Sequence, residues 1–594
     1  MASSYADPVH ARAESTEQRS LSGARWQLRP VDARRVAALA ERTGLSNVAA
    51  RCLALRFDGD DLPSTDLLRP SLEHLHDPLK MRNMAAALDR LDHAIRRGES
   101  VRVVTDYDVD GTTSSLILQA ALRLRNRDLP VSYHIPNRFE EGYGFSVQAA
   151  NRAADDGVGL IVTADIGVRD HTAVAAARDR GVDVLVCDHH LPAGESVPED
   201  ALVLCPPQEG CDYPNAALAA CGVSLKLAQG LLQHHHRAWD RVLLSLLKLA
   251  SIGTVADMVP LNTLENRAIV SLGLMQLNQG RHHPGLAQLL QVAGLGDKAV
   301  RTSDLGFRIG PRINAAGRVA DAKLVVELLN CRDPERARQL ASRLDALNTE
   351  RRDIQRRLVR EATERIAGNP TPWVLLAGDE DEGWHRGVVG IVAARVKDEV
   401  HRPTAVVSIQ GDRAVGSVRS MPGIHAVEAL DSASDLLVKY GGHPMAAGFT
   451  VPTDKLDALR DRLSAWVEDH VDPGLLVPRR SVDAVVEADR LGEGLMQDLA
   501  RLGPFGQANP RPALLVPEVQ VRDARLLGAD KNMLKVKIPR GGGPWLEAIW
   551  WGGATHIDAL TSAPHDFLGH LGINEWRGRR TLQLEIRDAR PSQP

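Results

Sequence analysis

VRVVTDYDVDGTTSS, residues 101–115, decides the reading of this chain. Val101–Thr105 is a short apolar run of the length and β-branched composition of a buried strand. Asp106, Asp108 and Asp110 follow it within five residues. Three carboxylates so close repel one another strongly unless something neutralises them, and a divalent cation is the economical partner. A DxDxDG run also opens an EF-hand loop, whose twelfth residue should be Glu. Counting from Asp106, that place holds Ile117, and a strand precedes the run where a helix should stand. The EF-hand is therefore rejected. The remaining alternative is a turn with solvated acids, since Asp and Gly favour turns.

Two further clusters weaken that alternative. Asp165, followed by Ile166 and Gly167, comes after the apolar run GLIVTA (159–164). Asp188, His189 and His190 come after VDVLVC (182–187). Helix-like stretches separate these runs and VSYHI (131–135), a pattern that predicts βαβ units on a parallel sheet. The acidic clusters then lie at carboxyl ends of strands, where open α/β sheets bind ligands. Asp257, in SIGTVADMVPL, reads equally well as a helix or turn residue from the sequence alone. A carboxylate-rich set with one or two imidazoles suits Mn²⁺ or Mg²⁺. Two such ions roughly 3.5–4 Å apart would favour hydrolysis of a phosphoester or phosphoanhydride. The chain holds no GxxxxGK[ST] loop, so a P-loop ATPase is not supported.

The 594 residues exceed one core, and three or four domains are expected. Hydrophobic content of 44% and charged content of 25% are those of a globular protein. The net charge of −4 requires any nucleic-acid surface to be a local patch. Six cysteines do not make a disulfide framework, and the first 25 residues lack an apolar signal region, so a cytoplasmic protein with reduced thiols is expected, with no membrane span. Cys205, Cys211 and Cys221 lack a CxxC element, which speaks against zinc. His234–His236 lie in a helical stretch away from the strand ends and read as surface.

The chain divides into a disordered segment (1–28), an α/β domain with N-terminal helices (29–333), a connecting helix (334–368), a second α/β domain (369–474) and a β-barrel of short strands (475–594). Leu340, Leu344, Leu347, Ile354 and Leu358 give the connecting helix its apolar stripe.

DYDVDG, TADIG, CDHHLP and GTVADMVPL occur in the order and spacing of the DHH phosphoesterase superfamily. GWHRGVVGIVAARV, GSVRSMPGIHAVEAL and GGHPMAAGFTV resemble its DHHA1 domain, and LGPFGQANPRP opens a segment resembling an oligonucleotide-binding (OB) barrel. Together they resemble the branch of single-strand-specific 5′→3′ DNA exonucleases, covering most of the chain after residue 70. The resemblance implies a DHH parallel-sheet domain and a DHHA1 α/β domain joined by a long helix, with a C-terminal OB fold. It implies two Mn²⁺ or Mg²⁺ ions, release of 5′-mononucleotides, and a role in recombination and repair.

Carried over by position, Asp108, Asp110, Asp165, His189 and Asp257 match the family's metal ligands. Asp106 and His190 match motif places of the inner or outer shell; Asp106 is expected at the metal, and His190 among the catalytic residues. Arg138 and Tyr143 in HIPNRFEEGYGF match DNA contacts near the cleavage point. Arg312, Asn314 and Arg318 in PRINAAGR match a phosphate-contacting motif; Ser417 and Arg419 match a pocket for the terminal 5′-phosphate; His385 and His443 match residues of the DHHA1 cleft. Single-stranded DNA is expected to thread between the DHH and DHHA1 domains. The barrel would grip it through Lys535, Lys537, Arg540, Arg577, Arg579 and Arg580 and through aromatics such as Trp550 and Trp576, although most barrel tryptophans are expected in the core. A helicase, a single-strand-binding protein and a monomeric state are implied by family likeness only.

The chain departs from the pattern at Thr105, where Gly is common, at Ile166, where relatives often carry a polar residue, and at Arg386, where Pro is frequent. None removes an expected ligand. The competing readings are a phosphodiesterase for short RNAs or cyclic dinucleotides, against which the extra barrel counts, and an inactive DNA-binding scaffold, against which the retained ligands count.

Overall fold

The computed structural model describes residues 18–57, 63–138, 140–192, 196–233, 235, 239–366, 370–541, 543–576 and 578–593. The chain forms two compact units: residues 66–351 with 504–510, and residues up to 65 with 352–503 and 511–594.

The first unit is built on a five-stranded parallel sheet. Its strands are β1 (Val101–Thr105), β2 (Val131–His134), β3 (Leu160–Ala164), β4 (Asp183–Cys187) and β5 (Ala201–Leu204), in the order β2-β1-β3-β4-β5. Both faces are covered, which explains the near-continuous apolar runs in the sequence. Val103, Val162 and Leu185 join one core with Leu91, Ile117, Leu225 and Leu247, while Val104, Ile161, Val184 and Val186 join another with Ala150 and Val174. The order reverses at β1 and β3, the topological switch point where such sheets bind ligands. Register then does the rest. Thr105 pairs with Ala164, and Ala164 with Cys187, so the next residues, Asp106, Asp165 and Asp188, leave three adjacent strands at one level.

The helices α1 (Val109–Arg125), α2 (Ala220–Leu232) and α3 (Trp239–Ala256) pack on one another over this end of the sheet. The first half of the helix Pro334–Ile366 contributes Ala337, Leu340, Ala341 and Leu344 to a further core of this unit.

In the second unit, Leu358 and Ala362 of that helix pack with Val374, Trp384, Val388 and Val392. A five-stranded sheet runs in the order 439–443, 446–452, 413–419, 404–410, 374–379. A seven-stranded sheet forms the C-terminal domain, from Ala484–Val485 to Arg579–Pro591.

Two expectations need correction. Residues 29–65, expected in the first α/β domain, group instead with the second unit. The disordered segment does not reach residue 28, because Arg25–Leu28 is a strand paired in parallel with Arg479–Val482. Trp26 is buried against Val482, Leu515 and Leu568. The fully buried Asp588 carboxylate fastens the segment, accepting hydrogen bonds from Ser20 Oγ (2.6 Å), Ser22 Oγ (2.7 Å), Trp26 Nε1 (3.0 Å) and Arg480 Nε (3.1 Å). Serines and one tryptophan in a polar leader carry no periodicity from which a strand could be read. His234, His236 and Arg577, and the side chain of Trp576, lie outside the described residues.

Candidate metal centre

The four acidic segments converge at the carboxyl end of the sheet. Donor atoms of Asp106, Asp108 and Asp165 lie within 4.8 Å of one another, as do those of Asp110, His189 and Asp257, and those of Asp165, His189 and His190. His189 joins the groups: its Nε2 is 3.3 Å from Asp165 Oδ1, 3.6 Å from Asp257 Oδ2 and 4.0 Å from Asp110 Oδ2.

Local structure fixes each side chain. Asp108 is the N-cap of α1 and accepts from Gly111 N at 3.0 Å. Gly111 is obligatory there, since a Cβ would sit 2.4 Å from the Asp106 carbonyl oxygen. Asp110 is fully buried in the first turn of α1, and its two carboxylate oxygens accept the backbone N–H of Ala220 (2.6 Å) and Cys221 (3.0 Å), at the start of α2. That is a helix N-terminus receiving an anion. Gly253 on α3 allows this approach, because a Cβ there would fall 2.8 Å from Asp110 Oδ1. Asp165 is held at φ 65°, a left-handed conformation with a real energetic penalty for a non-glycine residue, and its N–H donates to the Cys187 carbonyl.

Asp188 does not face the cluster as a ligand. Its Oδ1 accepts from His189 N (2.7 Å), His190 N (3.2 Å) and His190 Nδ1 (2.7 Å), and its Oδ2 accepts from Val168 N (3.1 Å). It is the hub that orients both histidines. Burial alone would push its carboxyl up, but the hydrogen bond and positive charge of His190 hold it below the usual range. An ionised carboxylate can only accept, so His190 Nδ1 carries a proton. Burial opposes a charged His190, yet the Asp188 hydrogen bond outweighs it and raises the imidazole above its ordinary value. Burial lowers His189, leaving it neutral near pH 7.

The carboxyls respond in the other direction. Burial, reinforced by neighbouring carboxylates, pushes Asp106 and Asp165 well above the usual range and Asp257 up to about 9. Burial also raises Asp110. Two buried atoms, Asp106 Oδ1 and His189 Nε2, make no hydrogen bond. Unpaired acceptors beside crowded acids are what a cation would complete, and the oxygen-rich donors with one imidazole fit Mn²⁺ or Mg²⁺.

Known proteins resemble the chain along most of its length. Residues 100–254 match the model of the DHH family N-terminal domain, 372–469 the DHHA1 domain, and 482–588 the RecJ OB domain. The single-stranded-DNA-specific exonuclease RecJ of Dickeya dadantii is 38% identical over 542 residues, spanning 87% of this chain and 92% of that protein. The chain belongs to the RecJ family. The RecJ of Bacillus subtilis is 33% identical over 574 residues, covering 96% of this chain and 71% of that protein. The crystal structure of Thermus thermophilus RecJ in complex with Mn²⁺ superposes with a TM-score of 0.81 at 28% identity, covering 97% of this chain and 80% of that one; its Mg²⁺ complex gives 0.75 at 27%, covering 96% and 79%.

Within this RecJ-family frame, the other expected residues fall in distinct places. Tyr143 is 60% exposed as a residue, and its hydroxyl is 3.4 Å from the Asp165 carbonyl and 3.5 Å from His190 Nε2. Arg138 stacks on Tyr107 at 4.4 Å. Arg312 is engaged internally, with Asp345 (2.9 Å) and the carbonyls of Arg308 (2.8 Å) and Val292 (3.0 Å). Asn314 and Arg318 are half-buried on the same helix, whose Gly317 packs against Tyr107.

In the second unit, Arg419 donates to Ser417 Oγ at 2.9 Å. Both meet the start of the helix Val389–Val400 at Gly390, where a Cβ would fall 3.0 Å from Ser417 Oγ and 3.1 Å from Arg419 Nη2. His385 Nδ1 accepts from Gly387 N at 3.1 Å just before that helix, and His443 is exposed at the end of an edge strand. In the OB domain, Lys535 pairs with Glu547 and Lys537 with Asp523, each at 2.7 Å. Arg540 donates to two carbonyls, and Arg579 and Arg580 are exposed. Trp550 is 6% exposed and stacks on His556, whereas Trp545 and Trp551 are 51% and 67% exposed. Of the two tryptophans named from sequence Trp550 is in the core, while Trp545 and Trp551, against the expectation for most of them, face out; strand alternation in LEAIWW separates Trp550 from Trp551.

Sequence reasoning also missed the Ala220–Cys221 amides and the loop Pro504–Pro510. That loop reads as the opening of the barrel, yet it belongs to the first unit, where Gln507 O accepts from Leu261 N at 2.8 Å, four residues after Asp257.

Proposed function

We propose that the chain is a single-stranded-DNA exonuclease that hydrolyses from the 5′ end to 5′-mononucleotides. The observation that carries this is the pair of three-donor groups, Asp106–Asp108–Asp165 and Asp110–His189–Asp257, drawn together by the 3.3 Å approach of His189 to Asp165. These residues would hold two Mn²⁺ or Mg²⁺ ions. Bound there, such ions supply an activated water and stabilise the departing oxygen.

The chain's own side chains provide the rest. His190, protonated at Nδ1 toward Asp188, presents Nε2 beside Tyr143 and can hold a proton at the scissile phosphate. Tyr143, exposed as a residue, offers its ring to a base, and aromatic stacking of this kind contributes roughly 1–3 kcal/mol. Ser417, Arg419 and the start of the helix Val389–Val400 combine hydroxyl, guanidinium and helix N-terminus, a set suited to a terminal 5′-phosphate. The internal contacts of Arg312 favour a role in holding its helix over direct phosphate binding. Lys535, Lys537, Trp545 and Trp551 give the OB domain a sequence-indifferent surface for a strand.

Family likeness supports a monomer working in the cytoplasm with a helicase and a single-strand-binding protein, in recombination and repair. Among the described residues no helix is long and apolar enough to cross a membrane. The deciding assay offers 5′-phosphorylated single strand, matching duplex and a dinucleotide, each with Mn²⁺, Mg²⁺ or chelator. Metal-dependent release of mononucleotides from the single strand alone is expected. Comparable turnover of duplex rejects the assignment, and activity confined to the dinucleotide favours the small phosphodiesterase reading.

A further inference from the structure

Asn266 is one of the side chains that join the segment holding Asp110 to the segment carrying Asp257. Asn266 is fully buried in the helix Leu264–Asn278. Its Nδ2 donates to the Ala217 carbonyl at 2.7 Å and to the Pro260 carbonyl at 2.9 Å, and its Oδ1 accepts from Asn215 Nδ2 at 3.0 Å. The orientation of the amide is fixed by chemistry, since two of its neighbours are carbonyls and the third is a donor. Ala217 lies three residues before Ala220, whose N–H, with that of Cys221, binds Asp110. Pro260 lies three residues after Asp257. Asp110 and Asp257 belong to the same three-donor group with His189.

We infer that Asn266 is a positioning residue that sets the separation of Asp110 and Asp257, and so tunes the affinity of one cation site and not the other. The inference rests on the metal reading above. Asn266 touches neither that donor group nor any substrate, and acts through the two carbonyls. Asn215 stiffens the same clip: its Oδ1 accepts from Ala217 N at 3.2 Å, and its Nδ2 also donates to Glu265 Oε2 at 3.3 Å. Removing an outer partner of a metal site lowers affinity roughly 10–100-fold. Asn266→Asp conserves shape and leaves at most one donor, the proton of a buried carboxyl, for the two carbonyls.

The test measures Mn²⁺ binding to the metal-free full chain by the paramagnetic resonance of free Mn²⁺, alongside thermal melting. Asn278→Ala is the control: Asn278 also makes three hydrogen bonds, to Leu274 O, Val300 O and Val300 N, but touches neither segment. Asn266→Asp is expected to weaken one of two Mn²⁺ sites by about tenfold or more while the other stays within about twofold, and added Mn²⁺ should restore kcat with little change in KM for the strand. Asn278→Ala should lower the melting temperature and leave both sites intact. Two wild-type sites in a folded Asn266→Asp would overturn the role of Asn266 alone, as would equal weakening of both. If Asn266→Asp does not fold, Asn266→Ser is read by the same criteria. A wild-type chain that binds no Mn²⁺ would instead overturn the metal reading, and this inference with it.

Discussion

The carboxylate cluster of the first unit and the outer face of the OB domain are both charged, yet they are built on opposite plans. At the cluster, Asp106, Asp110, Asp165 and Asp188 are all buried, and backbone amides or a strained turn hold the acids in place. On the OB face, Lys535 and Lys537 are partly exposed and already paired with Glu547 and Asp523, and Trp551 stands in the open. A centre that must set donor atoms within a few ångströms needs rigidity and bears the electrostatic penalty of crowding like charges. A surface that follows any strand needs only adjustable charge and flat rings. Substitutions should therefore act all-or-none in the first region and in small increments in the second.

The largest effect tests the first half of that contrast. Asp165→Ala should reduce hydrolysis by more than the roughly 100-fold that loss of an outer partner produces, while strand binding by fluorescence anisotropy changes less than about twofold. A variant that still cuts at the wild-type rate would break the comparison. Next, Arg419→Ala should weaken binding of a 5′-phosphorylated strand by about 2 kcal/mol, roughly thirtyfold, and leave a 5′-hydroxyl strand nearly unchanged. Equal losses for both ends would remove the phosphate from that pocket.

Third is pH. The Asp257 carboxyl is raised to about 9, and Asp106 and Asp165 are raised too, whereas unfolded Asp titrates near 4. Between those values the folded metal-free cluster holds protons that the unfolded chain releases, so its contribution to stability falls as pH rises. The raised His190 acts in the same direction, since its stabilisation is lost as pH passes its folded value. Above about pH 6.5, where His189 and the other histidines lowered by burial are neutral in both states, melting temperature in chelator should thus drop toward about pH 8.5, and Mn²⁺ should flatten the curve. A rise in chelator would contradict it. The smallest effects belong to the OB face. Trp551→Ala should weaken a long strand by about 1 kcal/mol, and Lys535→Ala should reduce the salt slope of binding by about one.

The sequence displayed the carboxylate cluster well because strands buried on both faces leave unbroken apolar runs, and acids at their ends stand out against them. Asp106, Asp165 and Asp188 could be placed together by that logic before any register was known. Asp257 could not, since it ends a helix with no local signature, and only the family pattern singled it out. The division of labour inside the DHH triplet was also illegible. Whether Asp188 binds an ion or orients two imidazoles depends on which way its oxygens point, and Val168 decides that from 20 residues away. The same holds for Asn266 and for the 504–510 loop, whose partners are distant in sequence. In the OB domain the tryptophans were visible but their sides were not, until strand alternation separated Trp550 from Trp551.

The clasp at Asp588 has a practical outcome. Gln18 Nε2 reaches the Pro591 carbonyl at 3.0 Å and Leu21 N the Ala589 carbonyl at 2.8 Å, so residues 18–21 and 588–591 lie side by side. A short flexible peptide would span the gap between these two stretches without distortion. A tether attached near either stretch would leave from the same spot, which suits surface immobilisation that alters no residue of the carboxylate centre.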